Sequence, residues 1–261
     1  MSLLGEERKD YILKIIDEKG KVKANELALE LNVSTETIRR DLDQLETKNQ
    51  LKKVYGGAVK VETDLIEPSQ YARENIRIEE KRRIGRAAAQ LINDNEIVIV
   101  DEGSTTLQMI NYLTDKKNIT LITNSVPALM LLIDYKIKGL FHGQFIFIGG
   151  EVDAEHLRVS GMIAKQFMNN FYADKAFISI HGVTKDYGVT SYNSNEAILS
   201  MKFMECAREK IVLFDHSKVG LRKHYKIAEL SEFDTLICDE AVPSDWKEEL
   251  AEKGIEWIVA D

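Results

Sequence analysis

Residues 34–42 read STETIRRDL, from Ser34 to Leu42, and set two arginines side by side in a chain whose formal net charge is -8. Ile38, Leu42 and Leu45 recur at helical spacing, so the stretch predicts an amphipathic helix running to about Lys48 with Ser34 as its N-cap. At about 100° per residue, Glu36, Arg40, Asp43 and Thr47 point nearly opposite that apolar stripe, and Arg39 and Thr35 take one flank. Thr37 and Asp41 take the other, close to the core edge. An exposed arginine pair alone is an ordinary solvated face, so its surroundings decide the reading.

Upstream, EERKDYILKIIDEKG puts Tyr11, Ile12, Ile15 and Ile16 on a helical stripe ended by Gly20. NELALELNV predicts a shorter helix with Leu27, Ala28 and Leu31 on one face, followed by Asn32, which tolerates the left-handed geometry of a tight turn. Two helices, a tight turn and a third helix with a polar N-terminal half form the helix-turn-helix pattern, whose third helix enters the major groove. Downstream, LKKVYGGAVKV predicts short strands at Leu51–Val54 and Ala58–Val61, turned by Tyr55, Gly56 and Gly57. Such a hairpin is a wing, and its Lys52 and Lys53 are placed to meet phosphate. The expected DNA-binding set is Ser34, Thr35, Glu36, Thr37, Arg39, Arg40, Lys52, Lys53, Tyr55 and Gly56. Glu36 and Asp43 share the outward face. Either they screen non-specific binding, or Glu36 accepts from a cytosine amino group.

Charge supports a local reader. Residues 1–60 carry twelve Lys plus Arg against eleven Asp plus Glu, and the remaining 201 residues carry a net of -9. An acidic body with a near-neutral head excludes a general nucleic-acid coat and permits a placed cluster. At 261 residues, 44% hydrophobic and 30% charged, the chain predicts a soluble protein of two domains. The expected division is a winged helix-turn-helix at 1–60, a linker at 61–78 containing Pro68, and an α/β sensing domain at 79–261. No apolar run approaches the ~20 residues of a membrane-spanning helix. MSLLGEERKDYIL carries acids where a secretory signal is basic. Cys206 and Cys238 lie in apolar-patterned segments and read as buried free thiols, which suit a cytoplasmic location.

The body alternates β-branched runs with amphipathic stretches. The expected strands are 96–100, 119–123, 145–149, 176–180, 211–214, 235–238 and 255–259, and Ile84, Ala87, Ala88, Leu91 and Ile92 mark a helix before them. That alternation predicts the α/β class, a mostly parallel sheet covered by helices on both faces. Ligands of such sheets bind beyond the carboxyl ends of the strands. There the chain places Asp101-Glu102-Gly103-Ser104-Thr105-Thr106, Asn124-Ser125, Gly149-Gly150, and Asp215 to Gly220 with Lys218. Glycine, hydroxyls and free amides at a helix start cradle an anion. Each loop alone is a turn with a cap; four on one sheet edge point to a small, oxygen-rich anion such as a phosphorylated sugar or polyol. Glu102 fits only if its side chain turns away.

The run from Arg8, RKDYIL, together with STETIRRDL and the VYGGA of the hairpin, resembles the DeoR family of bacterial transcriptional repressors. The resemblance implies operator binding by the head and effector sensing by a body similar in fold to ribose-5-phosphate isomerase. Carried onto this chain, it implies a phosphate loop at Gly103, Ser104, Thr105 and Thr106. Asn124, Ser125, Gly149, Gly150, Ser160, Gly161 and Lys218 then line the pocket, and Glu196 matches a recurrent family position. The alternative for Glu196 is a helix N-terminal acid.

Asp101, Asp186, Glu196 and Lys218 supply residue types for sugar-phosphate isomerisation. A sensor that consumes its signal cannot report it, so no catalytic residues and no enzyme activity are expected. The five histidines are scattered and no metal-ligand spacing or cofactor motif appears. The expected partners are double-stranded operator DNA, a phosphorylated sugar or polyol, and further copies of the chain as a dimer or tetramer, with no membrane partner. The expected function is repression of a sugar or polyol operon relieved by the effector. An activator of the same build and an isomerase-like enzyme with an accessory head are the alternatives.

Overall fold

The computed structural model describes residues 5–47, 50–59 and 67–261, and packing divides the chain into Met1–Glu67 and Pro68–Asp261. Lys48, Val61 and residues 61–66 of the expected linker lie outside the described residues.

In the first unit, α1 (Gly5–Lys19), β1 (Lys21–Lys23), α2 (Ala24–Glu30) and α3 (Thr35–Thr47) precede β2 (Lys52–Val54) and β3 (Gly57–Val59). Gly20 (φ +73°) closes α1 and Asn32 (φ +52°) makes the turn before α3. The Ser34 hydroxyl accepts from Thr37 N–H at 3.1 Å, capping α3. Ile12, Ile16, Leu27, Ile38, Leu42 and Leu45 form the core, each contributing about 1.5–3 kcal/mol on burial. The wing is a three-stranded antiparallel sheet, β1-β3-β2, rather than a two-stranded hairpin. Three residues, two of them lysine, left β1 without a sequence signal. A β-carbon at Gly57 would lie 2.0 Å from Val22 O, so that close β1–β3 pairing requires glycine.

The second unit opens with α4 (Gln70–Asn75) and α5 (Ile78–Gln90). Next come β4 (Ile97–Val100), β5 (Thr120–Thr123), α6 (Val126–Ile137), β6 (Gln144–Phe147), β7 (Glu151–Asp153), β8 (Arg158–Ser160) and α7 (Gly161–Phe167). The chain continues through β9 (Ala173–Ser179), β10 (Gly182–Thr184), β11 (Gly188–Ser191), α8 (Ser194–Cys206) and β12 (Ala207–Leu213). It ends with β13 (Tyr225–Ala228), β14 (Thr235–Cys238), α9 (Lys247–Glu252) and β15 (Glu256–Val259).

Every expected apolar run supplies a strand of one parallel sheet, ordered β15-β14-β12-β9-β4-β5-β6. Successive side chains alternate between its faces. Ile99, Ile122, Ile178, Val212 and Leu236 join one core with α7 and α8, whereas Val98, Val100, Leu121, Phe177 and Ile211 join another with α5 and α6. Two small antiparallel sheets, β7-β8 and β10-β11-β13, were not expected. The helix after the first loop, Thr106–Tyr112, is of the 3-10 type. Strand order reverses between β4 and β9, which makes their carboxyl ends the topological switch point where open sheets hold ligands.

Candidate functional site

On the head, Arg39 and Arg40 are exposed on α3, and Arg39 lies 3.7 Å from Glu36. The Ser34 and Thr37 hydroxyls are 2.8 Å apart, bonded to each other at the helix start, with Thr35 half-buried between them. Lys53 leans from the wing onto Asp43 and donates its N–H to Glu46 at 2.8 Å, so part of its charge is neutralised in place. Lys52 and Tyr55 are exposed, and Gly56 (φ +81°) turns the wing while its carbonyl accepts from Ala24 N–H at 2.9 Å. Asp41 is buried and takes no part in the outward surface. Arg8 donates to both of its oxygens, at 2.5 and 3.1 Å, and Lys9 reaches Gln44 at 3.0 Å, so α1 fixes the presentation of α3.

The second site is the crevice at the switch point. Asp101 follows β4, and Asn124 follows the β5 residue paired one position earlier. Asp101 Oδ2 accepts from Ser200 at 2.7 Å and Oδ1 from Glu102 N–H at 2.9 Å. Burial, with the Glu102 charge beside it, pushes the Asp101 carboxyl up to about 7 against these hydrogen bonds. Gly103 (φ +148°) packs so closely on β9 that a β-carbon would sit 2.1 Å from Ser179 Oγ. The Thr106 hydroxyl turns onto Asp101 O at 2.8 Å and Gly103 O at 3.1 Å, bracing the loop. Ser104 and Thr105 are buried beside it.

Glu102 does turn away. Its Oε1 accepts from Arg158 Nη1 at 2.7 Å, and the same nitrogen lies 3.1 Å from Glu196 Oε2. Glu196 occupies the first turn of α8, whose cap Asn193 accepts from Asn195 and Glu196 N–H, and its other oxygen is 3.3 Å from His181 Nδ1. It is thus both a helix-start acid and a member of a buried ionic lattice with Arg158. The lattice is carried there by the β7–β8 hairpin, which crosses the end of β5 through Val159 N–H to Asn124 O at 2.9 Å. Asn124 Nδ2 donates to Val159 O at 3.1 Å, and its buried Oδ1 has no hydrogen-bond partner among the described residues. Ser125 caps α6 through Ala128 N–H at 3.3 Å. Gly149 is exposed with open space about it, and Gly150 abuts Ser160, whose carbonyl would lie 2.6 Å from a β-carbon there.

Lys218 stands in a cationic group that the sequence did not reveal. Burial pulls the Asp215 carboxyl upward, but Lys218, a hydrogen bond from Ser217, Lys81 and Arg77 outweigh it and hold it below the usual carboxylate range. Arg77 Nε lies 3.5 Å from Asp215 Oδ1. Lys81 is 4% exposed, and burial with the repulsion of Lys218, Arg73 and Arg77 brings its ammonium down to about 8 despite Asp215. Lys218 is lowered by burial in the same way, offset by Asp215 and reinforced by Arg73, Arg77 and Lys223. Cations so gathered favour an incoming multivalent oxyanion, while Asp101, Ser200 and Asn124 offer donors and acceptors for hydroxyl groups. Nearby, His216, Asp239 and Glu240 lie within metal-ligand reach of one another, with His216 Nδ1 hydrogen-bonded to Asp239 Oδ2 at 2.6 Å.

Arg73, Arg77, Lys81, Lys223, Arg158 and Ser200 escaped the sequence reading because they lie within helices, short strands or loops outside the motif loops.

A winged helix-turn-helix joined in one chain to a parallel α/β unit with a polar switch-point crevice is the build of a transcriptional regulator. The family model for the DeoR-like helix-turn-helix domain matches residues 8–64, and that for the DeoR C terminal sensor domain matches residues 76–240. The chain belongs to the DeoR family of transcriptional regulators. It is 32% identical to the HTH-type transcriptional repressor GlcR of Bacillus subtilis (strain 168), over 98% of this chain and 96% of that protein. It is 29% identical to the putative aga operon transcriptional repressor of Escherichia coli O157:H7, over 97% of this chain and 93% of that one. Ribose 5-phosphate isomerase A from Methanocaldococcus jannaschii matches 53% of each chain with 18% identity and a TM-score of 0.37. Among the described residues, no helix is long and apolar enough to cross a membrane.

Proposed function

We propose that the protein represses a sugar or polyol utilisation operon, binding double-stranded operator DNA through α3 and the wing and leaving it when a phosphorylated sugar or polyol fills the switch-point crevice. The observation that carries the effector half is the convergence of Lys81, Lys218 and Arg77 on the single carboxylate Asp215, which holds their charges at a cost that a phosphate would relieve. Asp101 and Ser200 serve the sugar hydroxyls, and Gly103 to Thr106 bring backbone amides to the phosphate. The repressor sign follows the names of the relatives, GlcR and the aga repressor.

The crevice binds without turnover. Glu102 and Glu196, two of its carboxylates, share Arg158, and Arg73 lies beside Glu102, so both are held as ion-pair partners and are poor bases for proton abstraction at carbon. The protein acts as a homo-oligomer in the cytoplasm, because two heads reading half-sites about one helical turn apart double the contact that one α3 makes. A thermal-shift screen of the full chain against pentose, hexose and polyol phosphates, beside their unphosphorylated parents, tests the reading. At least one phosphorylated compound stabilises the protein where its parent does not; equal shifts from parent and phosphate contradict an anion site. NMR of the same mixtures shows no product.

A further inference from the structure

The parallel sheet ends on β6, and the helix leading into that strand is apolar on more than one side. In α6, VPALMLLIDYKI, only Asp134, Tyr135 and Lys136 are polar. Ala128 and Leu132 are buried, yet Met130, Ile133 and Ile137 recur at helical spacing while 61%, 37% and 81% exposed, and Leu140 continues them. A helix apolar all round is normally covered all round. The charges beside this second stripe are already engaged: Lys138 pairs with Asp134 at 2.7 Å, and Lys136 donates to Gly143 O at 2.6 Å. Covering the stripe therefore strands no charge.

β6 continues the same border. Gln144 and Ile148 N–H donate toward β5, to Ile119 O and Thr123 O, both at 2.9 Å. By the alternation of a strand, the main-chain groups of Phe145 and Phe147 face the open edge. QFIFIG, residues 144–149, holds no charge and no proline, the devices that keep an edge from pairing. The opposite border strand, β15, starts with Glu256 and is followed by Asp261. Just past β6, α7 packs on Gly150 through Ala164 and exposes Met162 and Ile163.

We infer that β6 and α6 form the interface with a second copy of this chain, β6 pairing antiparallel with itself across a two-fold axis at Ile146. The inference rests on the homo-oligomer reading and names the surface that makes it. Open main-chain groups call for another strand edge, which a lipid surface does not supply. Self-pairing closes into a dimer, whereas β6 on β15 of the next copy is head-to-tail and grows filaments. With Ile146 opposite its own copy, Phe145 exchanges N–H···O bonds with Phe147 of the partner subunit, so both open residues are used. A stable interface takes about 800 Å² from each partner, which the strand edge and the exposed side chains of α6 and α7 supply.

Sedimentation velocity and non-reducing electrophoresis of the full chain test the interface. The parent sediments as a dimer or a multiple of one. Ile137→Glu, at an exposed position, keeps the parent's melting temperature and raises the dimer dissociation constant at least tenfold. Facing residues at the axis lie within disulfide reach, so oxidised Ile146→Cys runs as a covalent dimer while Val259→Cys, on β15, runs as a single chain. Absence of the Ile146→Cys disulfide, a disulfide through Val259→Cys, or a dimer that Ile137→Glu leaves unweakened overturns this interface and leaves the homo-oligomer reading standing. A parent chain that sediments as a monomer overturns both and gives the face to an unrelated partner.

Discussion

Arg8 and Asp41, 33 residues apart, meet as a two-pronged pair with both carboxylate oxygens engaged, at 2.5 and 3.1 Å, on the inner side of the DNA-reading helix. They stand near the two ends of the signature by which the family was recognised. Asp41, placed at the core edge by its helical position, is an internal strut, and its hydrogen bond raises the Arg8 guanidinium against the opposing effect of burial. Asp41→Ala leaves a partly buried guanidinium without its strut and lowers stability of the head by about 3 kcal/mol. Urea unfolding of the chain checks this, and a loss under about 1 kcal/mol assigns the pair no structural role.

Arg39 and Arg40 should behave in the opposite way. Both are exposed, so Arg40→Ala leaves the urea midpoint unchanged and costs on the order of 1–3 kcal/mol of operator affinity if it reads a guanine. Fluorescence anisotropy on an operator selected from random duplex by the parent protein measures the cost. A change below about half a kcal/mol removes Arg40 from the base-reading set.

The wing lysines differ from each other. Lys53 is paired with Asp43, whereas Lys52 is exposed with no ion pair among the described residues. Lys52→Gln lowers the slope of log affinity against log salt by about 1, and Lys53→Gln by less. Equal effects would mean that Lys53 leaves Asp43 on DNA.

Asp101 makes stability depend on pH with an unusual sign. Its folded pKa of about 7 lies above the ordinary aspartate value of about 3.9, so between those limits the folded chain binds more protons than the unfolded one. Stability from this group is present below about pH 4 and is lost as pH rises through 7. Asp101→Asn keeps an acceptor for Ser200 and is more stable than the parent at pH 8, a gain that vanishes by pH 4. Parallel unfolding curves across that range would place the Asp101 charge in water.

The sequence announced the scaffold better than the site. Strands such as IVIV and TLIT declare themselves by unbroken β-branched runs, and the places of Asp101, Gly103, Asn124 and Lys218 in the loops after the strands were legible from position. Arg158 was not: it lies in a three-residue strand, and its carboxylates Glu102 and Glu196 are 56 and 38 residues away. Arg73, Arg77 and Lys81 read as the polar face of helices, since nothing periodic distinguishes a cation facing a crevice from one facing water. Thr106 shows the converse limit, a hydroxyl in the right loop that braces backbone carbonyls.

Operator release by the effector is the most direct test. Anisotropy titrations of the full chain on its selected operator, with and without the phosphorylated compound that gives the largest thermal shift, should show affinity falling at least tenfold, a coupling of ~1.4 kcal/mol. Lys218→Glu should bind the operator as the parent does and ignore the compound. An operator affinity that stays constant while the compound saturates the protein contradicts the account.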